Sequence, residues 1–408
     1  MFLNRCNRHL VYLKDFLVKN FILYWLLLFG FFQIHPLEAE SEIRSLEESL
    51  VRAGENRSEL EDAISAVDGW EAEYLVRRAS QYDLVNLTSE LLVENILYAR
   101  KVRSAPYLNG EMEESIWRDW VLPYRILEED LSLWRKTFYD KLVNQVAECQ
   151  TTQEAVGLVL DWMWKVDADG NKRVKKQRSG DQDFRNQSPI QAFSTQNAGC
   201  CTKNSLCIYL LRSVGIPTRH CSIGFWYSRN GIHYYGEYWD AQKGEWMPWD
   251  FSDDKGNNGQ PLDVRIKQQS WATIAAYAHP AYHLGTDVYG TGSWTLGHLV
   301  TEAFMDTRLI RFDAKQKLGS QVNASLWNYG AWQVAARGRD SEQQELELGE
   351  NQWAKRPILF SSTDGSSLHW AFGTIGSQDQ TISLSEAQDG RSLIWLASMA
   401  QQQRKETR

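Results

Sequence analysis

Gly199-Cys200-Cys201-Thr202-Lys203-Asn204-Ser205-Leu206 opens a run that continues through Cys207, Ile208, Tyr209, Leu210 and Leu211 to Arg212, and closes on Val214-Gly215-Ile216-Pro217. Such a run predicts a helix of about four turns beginning at Cys200. Gly215 stands where a left-handed C-terminal cap belongs, and Pro217 prevents continuation. Cys200 is therefore expected at the helix N-terminus. Free N–H groups and the positive end of the helix dipole favour a thiolate there, the form that attacks carbonyls.

Downstream the period changes to that of strands. Arg219–Tyr227, Ile232–Trp239 and Glu245–Phe251 read as three strands, with Asn230-Gly231 and Lys243-Gly244 as hairpin turns. His233 falls at the start of the middle strand and Asp250 near the end of the next. In an antiparallel pair these ends are neighbours, so His233 and Asp250 can face each other. A carboxylate there would fix the imidazole tautomer, and the imidazole could hold Cys200 as an ion pair.

Taken together, Cys200 with its helix ending Leu211-Arg212-Ser213-Val214-Gly215-Ile216-Pro217-Thr218-Arg219, then His233-x-Tyr235-x-Glu237, then Trp246-x-x-x-Asp250, resembles the transglutaminase-like superfamily. The close match runs from about Asn197 to Asp250. Val121-Leu122-Pro123-Tyr124-Arg125-Ile126, with Glu128 and Trp134-Arg135, is similar to a leader in extracellular bacterial members. The resemblance implies a papain-like α+β core, a Cys-bearing helix packed on an antiparallel sheet. It also implies Cys200 as nucleophile, His233 as general base and then acid, and Asp250 as the group orienting His233. Tyr235 stands where the family usually has Trp.

The nucleophile has an alternative. Taking Cys201 would place the family's Gly two residues before it, at Gly199. It would leave eleven residues to Arg212 instead of twelve and turn the Leu206, Leu210 and Leu211 face by about 100°. The Cys-x-x-Lys-x-x-Leu variant of the family fits Cys200, Lys203 and Leu206. The backbone N–H of Cys200 would form part of an oxyanion hole, with Gln196 as the candidate side chain completing it. Cys149 and Cys207 read as small buried apolar residues. A Cys221–His220 pair is disfavoured because adjacent strand residues point to opposite faces. Cys200, Cys201, Cys207 and Cys221 lack the two-residue spacing of a metal site. His279, His283 and His298 read as ordinary surface or loop residues, Glu237 as a strand residue supporting the site, and Trp246 and Trp249 as core or wall. No cofactor and no metal is called for.

Outward from this core, the chain divides by texture. Arg5, Arg8, Lys14 and Lys19 precede an apolar run from Phe21 to Phe32, closed by Gln33, His35 and Pro36. Residues 1–39 therefore read as a secretory signal cleaved after Ala39, with an uncleaved membrane anchor as the other reading. Either places the remainder outside the cytoplasm: secreted, periplasmic or at the cell surface. Residues 40–150 are helical in period, with Leu91, Leu92, Ile96 and Leu97 as one stripe and breaks at Pro106 and Pro123. The catalytic core spans 151–265, beginning with a capping box at Thr151 and Glu154. Within it, 167–188 reads as an exposed loop. A connection covers 266–300, a β-sandwich-like domain 301–400 and a polar tail 401–408. Strand-like runs in that domain include Leu309–Phe312, Ser325–Trp327, Trp332–Val334, Ile358–Phe360, Leu368–Phe372 and Leu393–Trp395.

Composition sets the outer limits. The 408 residues suit two or three domains. A net charge of −8 argues against binding nucleic acid through phosphates. Six cysteines in this length form no disulfide framework. The expected partner is a protein or peptide substrate, a cell-wall peptide or glycoprotein among the candidates. A membrane enters only if the N-terminal segment stays uncleaved. The expected chemistry is a thioester acyl-enzyme at an amide or peptide bond, resolved by water (protease or amidase) or by an amine (acyl transfer). The competing class is an inactive secreted glycan- or peptide-binding protein with a relic triad.

Overall fold

A computed structural model of the chain describes residues 44–109, 112–126, 129–165, 175–176, 187–195, 197–198, 200–226, 231–250, 274–277, 288–291, 295–299, 301–313, 322–328, 331–337, 345–349, 357–363 and 368–386. The segment read as a signal or anchor, Gln196, His279, His283 and the Leu393–Trp395 run lie outside them.

The first part is helical: α1 (Leu46–Ala53), α2 (Arg57–Ala66), α3 (Glu71–Arg78), α4 (Gln81–Asn86), α5 (Ser89–Lys101), α6 (Glu114–Trp120) and α7 (Arg135–Val146). Local chemistry sets the starts. Ser45, Ser80 and Thr88 each accept a hydrogen bond from the backbone N–H three residues on, capping α1, α4 and α5. Pro106 opens a short 3₁₀ turn after α5. On α5, Leu92 and Ile96 are fully buried while Leu97 is 50% exposed. Leu97 thus leaves the expected stripe, since it stands about 100° around the helix from Ile96.

Next come α8 (Thr152–Trp164), α9 (Pro189–Thr195) and α10 (Cys200–Ser213). Thr151 and Glu154 form the expected reciprocal capping box of α8. In the stretch read as a loop, β1 (Lys175–Lys176) pairs in parallel with β2 (Asn197–Ala198), a contact too short to leave a sequence signal.

A six-stranded sheet follows: β3 (Thr218–Trp226), β4 (Gly231–Asp240), β5 (Glu245–Trp249), β6 (Ile274–Tyr277), β7 (Val288–Thr291) and β8 (Thr295–Leu299), in the order β5-β4-β3-β6-β8-β7. All its pairings are antiparallel. Strands β6, β7 and β8 fall in the stretch read as a connection. They extend the sheet beyond β3, where short, Gly-interrupted segments gave no clear alternation. The helices, α10, the sheet and Phe304 share one apolar core.

The last part is all β. β9 (Thr307–Phe312), β10 (Val322–Asn328), β11 (Ala331–Arg337), β12 (Glu345–Gly349), β13 (Ile358–Thr363), β14 (Leu368–Gly373), β15 (Gln380–Ile382) and β16 (Ser385–Glu386) form two sheets, β11-β10-β13-β14-β16 and β12-β9-β15. Ile310, Phe312, Leu346 and Leu348 of the smaller sheet meet Val322, Leu326, Ile358 and Phe360 of the larger in a second core. That is sandwich packing, with alternate residues of each strand facing inward. The fold class is α+β, with N-terminal helices and a β-rich C-terminal part. Among the described residues no helix is long and apolar enough to cross a membrane.

Candidate active site

Helix α10 begins at Cys200, as its sequence predicts, and ends as predicted. Gly215 has φ +87°. The N–H of Ile216 reaches the carbonyl of Leu211 and that of Gly215 the carbonyl of Arg212, the bonding of a Schellman-type end. No side chain is tolerated at Gly215, because a Cβ would lie 2.6 Å from the Val102 carbonyl oxygen.

Every residue of α10 from Thr202 to Ser213 is buried, including Lys203, Asn204 and Arg212. A helix wrapped on all sides needs no polar face, so it lacks the usual amphipathic stripe. Its neighbours are the sheet strands β3 and β4 and the helices α7, α8 and α9.

Residues 121–126 and 129–135 hold it from the helical side. Arg135 is 1% exposed. Its guanidinium donates to the carbonyls of Arg212 (2.9 Å) and Val121 (2.6 Å), and to Asn95 Oδ1 (2.8 Å). The fork geometry of arginine suits several fixed acceptors at once. Trp134 Nε1 donates to the Tyr124 carbonyl at 2.8 Å. Arg125 pairs with Asp83 at 2.7 Å. The Tyr209 hydroxyl, on α10, donates to Glu129 and accepts from the Ile126 N–H. These contacts give the leader-like residues a physical role: they fix the position of the Cys200 helix.

On the sheet side, Asn204 Nδ2 donates to the Tyr234 carbonyl at 2.5 Å, tying α10 to β4. The register pairs Gly236 with Trp249. Carried one residue past the strand end, it sets Asp250 opposite Tyr235, two residues from His233 along the same face. The two side chains meet there. His233 Nε2 and Asp250 Oδ2 are 3.1 Å apart, and the residues are 2% and 1% exposed.

Next to them runs a second buried set on the same face. Arg219 Nε donates to Glu237 Oε2 at 2.6 Å, and the Tyr235 hydroxyl donates to Glu237 Oε1 at 3.0 Å. Arg219 also lies over Trp246, 4.2 Å from the ring centroid. Glu237 is thus spoken for by structural partners, as its reading as a supporting residue expects. Tyr235, in place of the family's Trp, finds an acceptor for its hydroxyl.

The cysteines separate by environment. Cys149, Cys201, Cys207 and Cys221 are free thiols. Burial pushes the thiols of Cys207 and Cys221 well up, so both stay protonated near neutral pH. This removes the Cys221–His220 pair as a nucleophilic site. Cys201 follows Cys200 on the helix and is half-buried. His220 is fully buried, and burial pulls its imidazole down to about 3; it is a neutral core histidine whose ring lies 5.2 Å from that of Tyr234. His298 lies on β8. Among the described residues no three His, Cys, Asp or Glu side chains converge as a metal site would require.

Residues 140–251, from α7 to just past Asp250, match the family model described as transglutaminase-like superfamily. The chain carries a transglutaminase-like domain. That match encloses Cys200, His233 and Asp250. No curated protein matches the chain. Among solved structures, one described as a "Putative Cysteine Protease" from Cytophaga hutchinsonii is similar at 12% identity, with a TM-score of 0.28. The alignment covers 68% of this chain and 62% of that one, so the chain spans less than two thirds of that protein's length.

Three features around the site were not foreseen from the sequence: the carbonyl bonds of Arg135, the Asn204–Tyr234 tie and the burial of Lys203. Asn204 and Lys203 carried a signal, namely polar residues inside an otherwise apolar helix. Arg135 carried none beyond its place in the leader, since its acceptors are backbone carbonyls.

Proposed function

We propose that the protein is a secreted cysteine enzyme acting on amide or peptide bonds through a thioester acyl-enzyme. The observation that carries this reading is the buried His233–Asp250 hydrogen bond on the sheet that packs against the helix begun by Cys200. Asp250 holds His233 in one tautomer and stabilises its imidazolium. His233 takes the Cys200 proton. The thiolate adds to the carbonyl carbon, and the N–H of Cys200, with Gln196 as the candidate side chain, stabilises the oxyanion. His233 then gives the proton to the leaving amine as the C–N bond breaks. Water, deprotonated by His233, releases the acid; a primary amine in its place gives a new amide. Protein or peptide is the substrate class, and hydrolysis the favoured outcome, as protease or amidase. The site of action is outside the cytoplasm: free, periplasmic or on the cell surface.

Mass spectrometry of the protein trapped with a glutamine-containing peptide, with and without a primary amine, tests this. An adduct on Cys200 that decays to free acid supports hydrolysis; one that yields the peptide–amine conjugate supports transfer. An adduct on Cys201 reassigns the nucleophile. If no adduct forms with any peptide donor, and alkylated protein binds peptide or glycan as the parent does, the protein is a binding module with a relic triad.

A further inference from the structure

Helix α10 is pinned to the sheet by side-chain hydrogen bonds near both its ends. At the far end Arg212 Nε and Nη2 donate to the Thr218 carbonyl of β3 at 3.0 and 2.7 Å. At the near end, one turn after Cys200, Asn204 Nδ2 donates to the Tyr234 carbonyl of β4 at 2.5 Å. The two points stand eight residues apart, about 12 Å along the helix. Between them lie Leu206, Cys207, Leu210 and Leu211, all fully buried. Apolar contact is non-directional, whereas a hydrogen bond fixes both distance and angle.

An asparagine is costly at this place. It is among the poorer helix formers, and a buried amide must be bonded. Asn204 is fully buried. Its acceptor belongs to the residue that follows His233 in the strand, and the ring of that same Tyr234 lies 5.2 Å from the ring of buried His220. His233 is therefore held in two ways. Asp250, 3.1 Å from Nε2, sets its ring. Asn204 sets the backbone beside it relative to the helix that Cys200 begins. The first contact governs the tautomer, and the second governs how far the strand stands from the helix start.

We propose that Asn204 is a positioning residue of the site: its bond to Tyr234 sets the spacing between the start of α10 and His233, and with it the strength of the thiolate–imidazolium pair formed by Cys200 and His233. The proposal rests on the Cys200–His233–Asp250 reading and adds to it a residue that touches no reacting atom.

The test is a double-mutant cycle read by the rate at which iodoacetamide alkylates Cys200 in the full-length protein at neutral pH, followed by peptide mass spectrometry. Melting temperature on the same preparations shows that each variant is folded. Asn204→Leu keeps the volume and removes the donor. It is expected to slow Cys200 alkylation about tenfold or more, since a misplacement of about 1 Å can cost on the order of 10²-fold. In a His233→Ala background the same substitution is expected to change the rate by less than about twofold, because the residue through which Asn204 acts is gone. An Asn204→Leu rate equal to the parent's overturns the proposal. So does a slowing that persists at full size in the His233→Ala background, which would assign Asn204 to the packing of the helix. If Asn204→Leu fails to fold, Asn204→Ala is read by the same criteria. The two levels stay apart. A His233→Ala protein as reactive as the parent removes the triad reading and this proposal with it; a slow His233→Ala beside a fast Asn204→Leu removes the role of Asn204 alone.

Discussion

Arg219 and Glu237 stand directly opposite each other on β3 and β4, joined at 2.6 Å with both side chains buried, and the same carboxylate accepts the Tyr235 hydroxyl. The pair ties β3 to β4 beside the His233–Asp250 contact. Its worth lies in what breaking it would expose. Glu237→Gln removes the charge that answers a buried guanidinium, at a cost of about 3 kcal/mol. A urea titration should show a lower midpoint with an unchanged slope. Turnover of the folded fraction should change little; a large loss there would make Glu237 part of the chemistry.

Asp250→Asn should leave the fold intact and set the His233 tautomer wrongly. The expected loss of turnover is on the order of 10²–10⁴-fold, by analogy with the corresponding substitution in a serine-protease triad. Melting temperature and turnover measured on one preparation decide the matter. A variant as active as the parent removes Asp250 from the triad.

Thiol chemistry should sort the cysteines as the environments do. Cys207 and Cys221 have thiols pushed well up by burial, and Cys149 is raised by the same cause. At neutral pH iodoacetamide should reach Cys200 first, leaving those three unlabelled until the protein is unfolded in urea. Peptide mapping before and after unfolding gives the order. Faster labelling of Cys201 would move the nucleophile one residue along.

His220 predicts an acid-side weakness. Burial pulls its imidazole down to about 3, with the Arg212 charge acting in the same direction. In the unfolded chain it takes a proton near 6.5. Between those values the unfolded state binds the extra proton, so stability is full above about 6.5 and falls as pH drops, by about 1.4 kcal/mol per pH unit. His220→Asn should therefore lose about 2 kcal/mol less than the parent between pH 7 and pH 5. Denaturant midpoints of both proteins at the two pH values would show this. Parallel losses would mean that His220 is protonated in the folded state.

Much of the site was legible because its elements are local. Gly215 and Pro217 end a helix by backbone geometry alone, and the Lys243-Gly244 turn needs only the positive φ of Gly244. The meeting of His233 with Asp250 followed from strand order once both hairpins were read. What was hidden depends on partners far away in sequence. Arg135 finds the carbonyl of Arg212, 77 residues on, and backbone acceptors leave no mark in a sequence. Strands β6 to β8 are short and owe their place to the edge that β3 presents, so a reading by alternation passed over them. In the C-terminal part, apolar runs such as Ile358–Phe360 were read as strands, while the more polar β12, β15 and β16 were not.

The all-round burial of α10 separates the piece of chain that is recognisable from the piece that can stand alone. The family match begins at residue 140, inside α7 and after Trp134 and Arg135. A fragment begun there would leave the Arg212 carbonyl without its guanidinium, and Tyr209 without Glu129, the Ile126 N–H and the Trp134 ring. The recognisable stretch is thus shorter than the set of contacts that holds α10 in place, and the residues that precede it belong to that set as fully as those of the candidate site.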